Sequence, residues 1–554
     1  MKLYSTIASR LEAFTQMMGD LRSGRVPALC IGLSAIHKAH FLFAAAMELD
    51  EPLLVITQDE TSAARLTMDI NAMADSGEPA LLFPYRDFSY RQMEGVSTEY
   101  EQARLSVLSR LAAGEASIVV TSIQAAMTRT IPKDVLLRST FSLEAGDSMP
   151  LEELTARLIQ SGYVRRPQVD GISQFSIRGG ILDLYPPKEP SPVRIEFWGD
   201  EIDTMNYFEL DSQRRTDPVS RVDISPANEV VFSQGELSTK LREFCEKLGS
   251  KKGFAQAKAV LEKDLEQLDA GVELASEDKY FPLAYDRFAT VFDYFQNAPI
   301  FVSERAEARE NARGLFWQYS EDLKVLFDEG QLCKGLDSYL LSPEQAEAKI
   351  EGHRVLLLDT FARTGAGTAV KDLINISPLQ SSGWNGDLKL LQSDLLPLLE
   401  EGYCCAVLAG TAKAAANLAA DLAKMGLPAS YVKDVKAIQY RKVLVLAGTL
   451  SAGFEYPQIK FSLTTTGKAV TASSGRPKKR KGEEIKSLSD LTEGDYVVHV
   501  SHGIGIFSGI HKLDLHGIVK DYIKIQYAGA DTLYVPVTQL DLVSKYIGPR
   551  EDSK

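Results

Sequence analysis

Residues 30–47 read CIGLSAIHKAHFLFAAAM. An apolar strand leads in, a glycine follows, a lysine comes six residues after it, and a helical pattern takes over. A working phosphate loop has the form G-x-x-x-x-G-K-[ST]. Its second glycine lets backbone N–H groups wrap the phosphates, and its hydroxyl binds Mg²⁺. Here Gly32 and Lys38 occupy the expected positions, but His37 replaces the second glycine and Ala39 replaces the hydroxyl. A Cβ at position 37 opposes the left-handed backbone such a nest often uses, and alanine at 39 removes a metal ligand. The stretch therefore predicts the strand-to-helix turn of an α/β domain whose phosphate loop is degenerate.

Working outward, PALCIGL, PLLVIT (52–57), ALLFPY (80–85) and SIVVTS (117–122) are short apolar runs separated by helical patterns at 36–48, 60–74 and 99–112. Strands alternating with helices predict parallel βαβ units. After residue 133 the rhythm changes. The helix LEELTARLIQSGY is followed by ISQFSIRGGILDLYPP and VRIEFWGDEIDTMNYFEL, where Gly179–Gly180 and WGDE read as bulges or turns between antiparallel strands. Residues 222–330 are more helical, and α/β alternation returns from 350 to 467 with HRVLLLDTF, CCAVLAG, TAKAAANLAADLAKMG, RKVLVLAG and IKFSLTTT. A polar, basic stretch containing Arg476-Pro-Lys-Lys-Arg-Lys481 reads as a solvated linker. The segment 491–554 is β-rich: GDYVVHV, GIFSGIHKLDL, KDYIKIQYA and TLYVPV are strands, GADT (529–532) a hairpin turn, and VTQLDLVSKY a closing helix.

The expected fold is multidomain α/β: a degenerate P-loop, helicase-like α/β domain with an α+β insertion, a second small α/β domain, and a C-terminal SH3-like β-barrel. The boundaries are 1–133, insertion 134–221, remainder of the first module 222–335, second α/β domain 336–467, linker 468–490 and barrel 491–554.

Composition narrows the function. The 554 residues are 45% hydrophobic and 25% charged, which is globular material. A net charge of −14 disfavours a whole-surface role in holding nucleic acid. The five cysteines (Cys30, Cys245, Cys333, Cys404, Cys405) form no CxxC pair and suit a reducing cytoplasm. The N-terminus lacks the apolar core of a signal peptide, and no run is long enough to span a membrane. Four of the seven histidines (His499, His502, His511, His516) lie in the last domain, but His499 and His502, three apart on a strand, would face opposite ways, so no metal site is expected. RVLLLDTF ends in Asp359 like the acidic strand of an ATPase, yet no glycine-rich loop precedes it closely. No catalytic residue is assigned.

The final domain, GDYVVHVSHGIGIFSGI with YIKIQYAGADTLYVPVTQLDLVSKYIG, resembles the RNA polymerase-interacting domain of bacterial transcription-repair coupling factors, shared with CarD-type regulators. FPYRDFSYRQMEGVSTEYEQARLSVLSRL, GYVRRPQVDGISQFSIRGGILDLYPP and FWGDEIDTMNYFELDSQRR resemble the module those factors share with the excinuclease B subunit. The resemblance implies a scaffold for transcription-coupled nucleotide excision repair. The matching residues Arg165, Phe175 and Arg178 would bind the excinuclease A subunit (UvrA), with Phe175 as aromatic anchor. Ile510, Lys512, Leu513 and Asp514, on the strand 509–515, would bind the RNA polymerase β subunit by edge-strand addition. The DNA-inserting hairpin of the B subunit has no room, since only RQMEGVST separates LLFPYRDFSY from the next helix. The family continues into an ATP-driven double-stranded DNA translocase. The chain is thus read as the N-terminal portion of a longer monomeric protein, without cofactor of its own, the ATP and Mg²⁺ belonging to the motor. Two competing readings stay open: a B-subunit-like or helicase-type enzyme using Lys38 on a phosphate, and a CarD-like regulator with an unrelated front half.

Overall fold

A computed structural model describes residues 2–88, 98–233, 235–248, 255–272, 274, 277–361, 369–381, 383–433, 435, 438–466, 482–484, 494–499, 503–515, 518–526, 532–536 and 543–546. The basic run 476–481, most of RQMEGVST, the GADT turn up to its final Thr532, His502 and His516 lie outside the described residues. The chain divides into two compact units, Met1–Val470 and Thr471–Lys554.

The first unit is built on a seven-stranded parallel sheet. Its order is Asp372–Asn375, Ala28–Ile31, Arg354–Asp359, Pro299–Ser303, Leu53–Thr57, Ile118–Ser122 and Ala80–Phe83. The four runs expected before residue 130 are all strands, with helices Ala35–Glu48, Glu60–Ala72 and Glu99–Ala112 between them. Leu53–Thr57 and Ile118–Ser122 are buried throughout, as parallel strands covered on both faces must be. One expectation is corrected. Arg354–Asp359, which follows the expected boundary at 336, does not open the second α/β domain: it lies between Ala28–Ile31 and Pro299–Ser303, and Asp372–Asn375 closes the same sheet. Local periodicity identifies a parallel strand but not the neighbour it pairs with, and Ala28–Ile31 is over 300 residues away in sequence.

The insertion carries a six-stranded sheet ordered Arg215–Pro218, Glu201–Phe208, Val193–Trp198, Ile181–Leu184, Gln174–Arg178 and Val164–Arg165. All neighbours pair antiparallel except the last two strands. Its inner face packs on the helix Leu151–Gln160, with Leu154, Leu158, Phe175, Leu182, Leu184, Val193 and Ile195 in one core. Gly179–Gly180 is a two-residue turn and not a bulge, because the pairing from Phe175↔Leu184 to Arg178↔Ile181 runs without a slip. The insertion rejoins the first domain through a buried clamp. Arg104 Nε donates to Glu229 Oε1 at 2.7 Å, and its two terminal nitrogens reach Thr128 Oγ1 and the carbonyls of Pro84 and Arg129. That use of the planar fork leaves few donors unmet, as a buried guanidinium requires.

A second sheet within the first unit is ordered Leu379–Ser381, Gly453–Tyr456, Phe461–Thr464, Cys404–Leu408, Lys442–Leu446 and Ala429–Tyr431. Its residues share one core with the first sheet.

The second unit holds a six-stranded antiparallel sheet ordered Gly482–Glu484, Val543–Tyr546, Tyr496–His499, Gly503–Leu515, Ile518–Gln526 and Thr532–Pro536. Two expectations are corrected. Gly482–Glu484, placed in the linker, is an edge strand. Val543–Tyr546, placed in a closing helix, is a strand paired on both sides. VSKY is too short for its two apolar residues, Val543 and Tyr546, to separate the two periods, and pairing decides it. Among the described residues the first and last strands of this sheet do not pair with each other.

Candidate functional site

Three adjacent parallel strands of the first sheet bring their carboxyl ends together. Ala28–Ile31 leads to Gly32, Pro299–Ser303 to Glu304, and Arg354–Asp359 to Thr360. This is where open α/β sheets receive ligands. Asp359 therefore does lie beside the phosphate-loop position: it stands in register with Ile31, and the Gly32 N–H donates to its carbonyl at 3.0 Å. Sequence alone does not show this neighbour, because it lies across the sheet and over 300 residues away.

The crevice is occupied by the chain itself. Lys38 is 4% exposed, and its Nζ donates to Glu304 Oε1 at 2.6 Å and to Ser303 Oγ at 3.0 Å. Glu304 caps the helix Arg305–Asp328 with a left-handed backbone, φ 50°. The same Oε1 accepts the Thr360 N–H at 2.9 Å and the Thr360 hydroxyl. Burial would raise the Glu304 pKa, but the Lys38 charge and these hydrogen bonds outweigh it and hold the carboxyl below its ordinary value. A carboxylate thus faces the ammonium that a phosphate would otherwise engage.

Gly32 has a structural cause of its own. Its φ is 103°, and a Cβ there would lie 1.9 Å from the Ile376 carbonyl oxygen, so only glycine fits beside the neighbouring edge strand. His37 turns from the loop into the joint between the two sheets. Its ring meets Tyr456 and Phe454 edge-on at 5.6 and 6.0 Å, and its Nδ1 shares a 2.9 Å hydrogen bond with Ser34 Oγ. One turn on, His40 stacks on Phe454 and hydrogen-bonds Tyr456 Oη at 2.8 Å. Burial pushes both imidazoles down to about 4. Ala39 is fully buried.

On the insertion, the structure separates the three expected partner residues. Phe175 is 0% exposed and belongs to the core, so it is not a surface anchor. Alternation left its face open, and the packing against Leu154, Leu158 and Leu184 fixes it inward. Arg165, on the outermost strand, is exposed. Arg178 is 51% exposed, and one terminal nitrogen donates to Asp183 Oδ2 at 2.6 Å. Asp183, fully buried, also accepts Arg194 at 2.7 and 2.9 Å. Phe175 and Arg178, three apart on a regular strand, point to opposite faces.

In the second unit, Ile510, Lys512, Leu513 and Asp514 lie on Gly503–Leu515, paired respectively with Ile523, Asp521, Lys520 and Val519. Their side chains lie outside the described residues. The neighbour on the other side, Tyr496–His499, pairs only with Gly503–Ile506. Gly494 and Asp495 carry this contact on to Phe507, and beyond it no strand pairs on that side among the described residues.

With this geometry in place, two domain families account for the two regions. Residues 141–230 match the UvrB interaction domain, and residues 491–547 match the CarD-like/TRCF RID domain. The chain is similar to the transcription-repair-coupling factor of Bacillus subtilis (strain 168), with 30% identity over 98% of this chain and 47% of that protein. It is likewise similar to the factors of Staphylococcus aureus (strain MRSA252), 27% identical over 95% of the chain and 46% of that protein, and of Staphylococcus epidermidis, 27% over 96% and 46%. The resemblance to transcription-repair-coupling factors thus runs along nearly all of the chain, which spans about half the length of these relatives. Among the described residues no helix is long and apolar enough to cross a membrane.

Proposed function

We propose that the chain is a two-ended docking scaffold of transcription-repair coupling. Its insertion domain recruits the excinuclease A subunit, and its last domain grips the RNA polymerase β subunit at stalled transcription sites. The observation that carries this reading is the presence of both interaction modules in one chain that is similar to coupling factors throughout. The filled crevice supports it: Lys38 spends its charge on Glu304, the His37 ring turns into the joint between the sheets, and Ala39 carries no hydroxyl. ATP-driven translocation would then belong to the part of the relatives' length that this chain does not span.

Binding would rest on Arg178 and Arg165 at one end, where guanidinium forks suit carboxylates. At the other end the strand 509–515, with Leu513 central, would extend a partner sheet. Purified chain is expected to bind the A subunit and RNA polymerase separately, without nucleotide. Arg178→Glu should weaken only the first contact and Leu513→Arg only the second; a chain that binds neither partner defeats the reading.

One observation favours a nucleotide-binding enzyme instead: Asp359 borders Gly32 as an acidic strand end borders a phosphate loop. Saturable binding of ATP with Mg²⁺ would select that reading.

A further inference from the structure

We propose that Trp198 is the aromatic anchor of the insertion domain's partner surface, in the role that Phe175 is too buried to fill. The inference rests on the reading that this domain docks the excinuclease A subunit, and it identifies which face and which end of the sheet do so.

The register fixes the geometry. Residues paired across antiparallel strands share a face, and so do residues two apart along a strand. Arg178 pairs with Ile181, and Ile181 with Glu196; Trp198 follows Glu196 by two. Arg178, Ile181, Glu196 and Trp198 therefore share the face opposite the one that buries Phe175, Leu184 and Val193. They also share an end. The turns Gly179–Gly180 and Gly199–Asp200 close the same edge of the sheet, and the Phe197 N–H donates to the Gly180 carbonyl at 2.8 Å.

Trp198 is 84% exposed, more than any other exposed large hydrophobic side chain among the described residues. An indole is the largest apolar side chain and gains most from desolvation, and tryptophan with arginine dominates the energetics of protein interfaces. The surrounding charges are already organised. Asp183 binds both Arg178 and Arg194, so two guanidinium groups share one carboxylate, while Glu201, paired with Trp198, adds a carboxylate beside the indole. Glu196 is satisfied by Arg215 and by Thr204 Oγ1 at 2.9 Å. The occupant this surface fits is a protein patch with an apolar pocket for the indole and carboxylates at its rim to meet Arg178.

The test titrates purified excinuclease A subunit against the full chain and its Trp198→Ala, Trp198→Phe and Arg178→Glu variants. Melting temperatures and sedimentation velocity run in parallel. Trp198→Ala is expected to weaken binding at least tenfold with an unchanged melting temperature, and Trp198→Phe to lose less, because part of the ring surface survives. Full binding by Trp198→Ala beside a weakened Arg178→Glu overturns the anchor and leaves the docking reading standing. No binding by the unmodified chain defeats the docking reading itself, and the anchor with it. A dimer of the unmodified chain that disappears in Trp198→Ala assigns the indole to self-association and overturns the proposal.

Discussion

The carboxyl-end crevice of the first sheet and the outer face of the insertion sheet treat a cation in opposite ways. In the crevice, Lys38 is sealed against Glu304 and Ser303, with Thr360 completing the carboxylate's hydrogen bonds. On the insertion, Asp183 holds Arg178 by one nitrogen while half of the side chain stays in water. An internal carboxylate can either consume a cation or orient it, and burial decides which. The first site is spent on stability; the second stays available to a partner. A lysine at the position a phosphate loop would use is here held for packing.

The comparison can be broken most severely at Phe175. Phe175→Ala empties a fully buried site and should cost the insertion domain about 3–5 kcal/mol. Chemical denaturation followed in the isolated unit 1–470 or the full chain would show the loss, and A-subunit binding would fall with folding. Lys38→Met should follow at about 3 kcal/mol, the cost of leaving a buried carboxylate without its partner. The pair Lys38→Met with Glu304→Gln should recover much of that in a double-mutant cycle. Arg178→Glu is a different kind of change: the melting temperature should move by about 1 °C or less while A-subunit affinity drops tenfold or more, a loss of about 1.4 kcal/mol. If it instead melts the domain, Arg178 belongs with Lys38 and the contrast fails.

The last effect is on pH. His37 and His40 titrate near 6.5 in the unfolded chain and only at about 4 when folded. Between those values the unfolded chain binds more protons, so this contribution is whole above pH 6.5 and is lost as pH falls toward 4. Each histidine adds at most about 1.4 kcal/mol per pH unit to the slope. Stability measured at pH 7 and pH 5 should decline, and His37→Leu should flatten the decline by about one proton.

Much of this was legible before any coordinates. The strand–helix alternation up to residue 130 declared a parallel sheet, and the replacement of glycine by His37 and of a hydroxyl by Ala39 declared a loop unlike a working one. What was illegible shares one cause, pairing between distant residues. Arg354–Asp359 reads as a strand but not as the neighbour of Ala28–Ile31. Glu304, the residue that fills the crevice, carries no local signal, since it meets Lys38 only through the sheet order. Phe175 could face either way until the helix Leu151–Gln160 covered one side of its sheet. Trp198 could have been found from sequence: a tryptophan beside Gly199–Asp200 sits at a hairpin tip, where burial is hardest to arrange.

The central claim is that the phosphate-loop position is closed by the protein's own carboxylate. Isothermal titration of the chain with ATP and Mg²⁺ tests it most directly. The account predicts no saturable heat at millimolar nucleotide; saturable binding that vanishes in a folded Lys38→Met variant would contradict it.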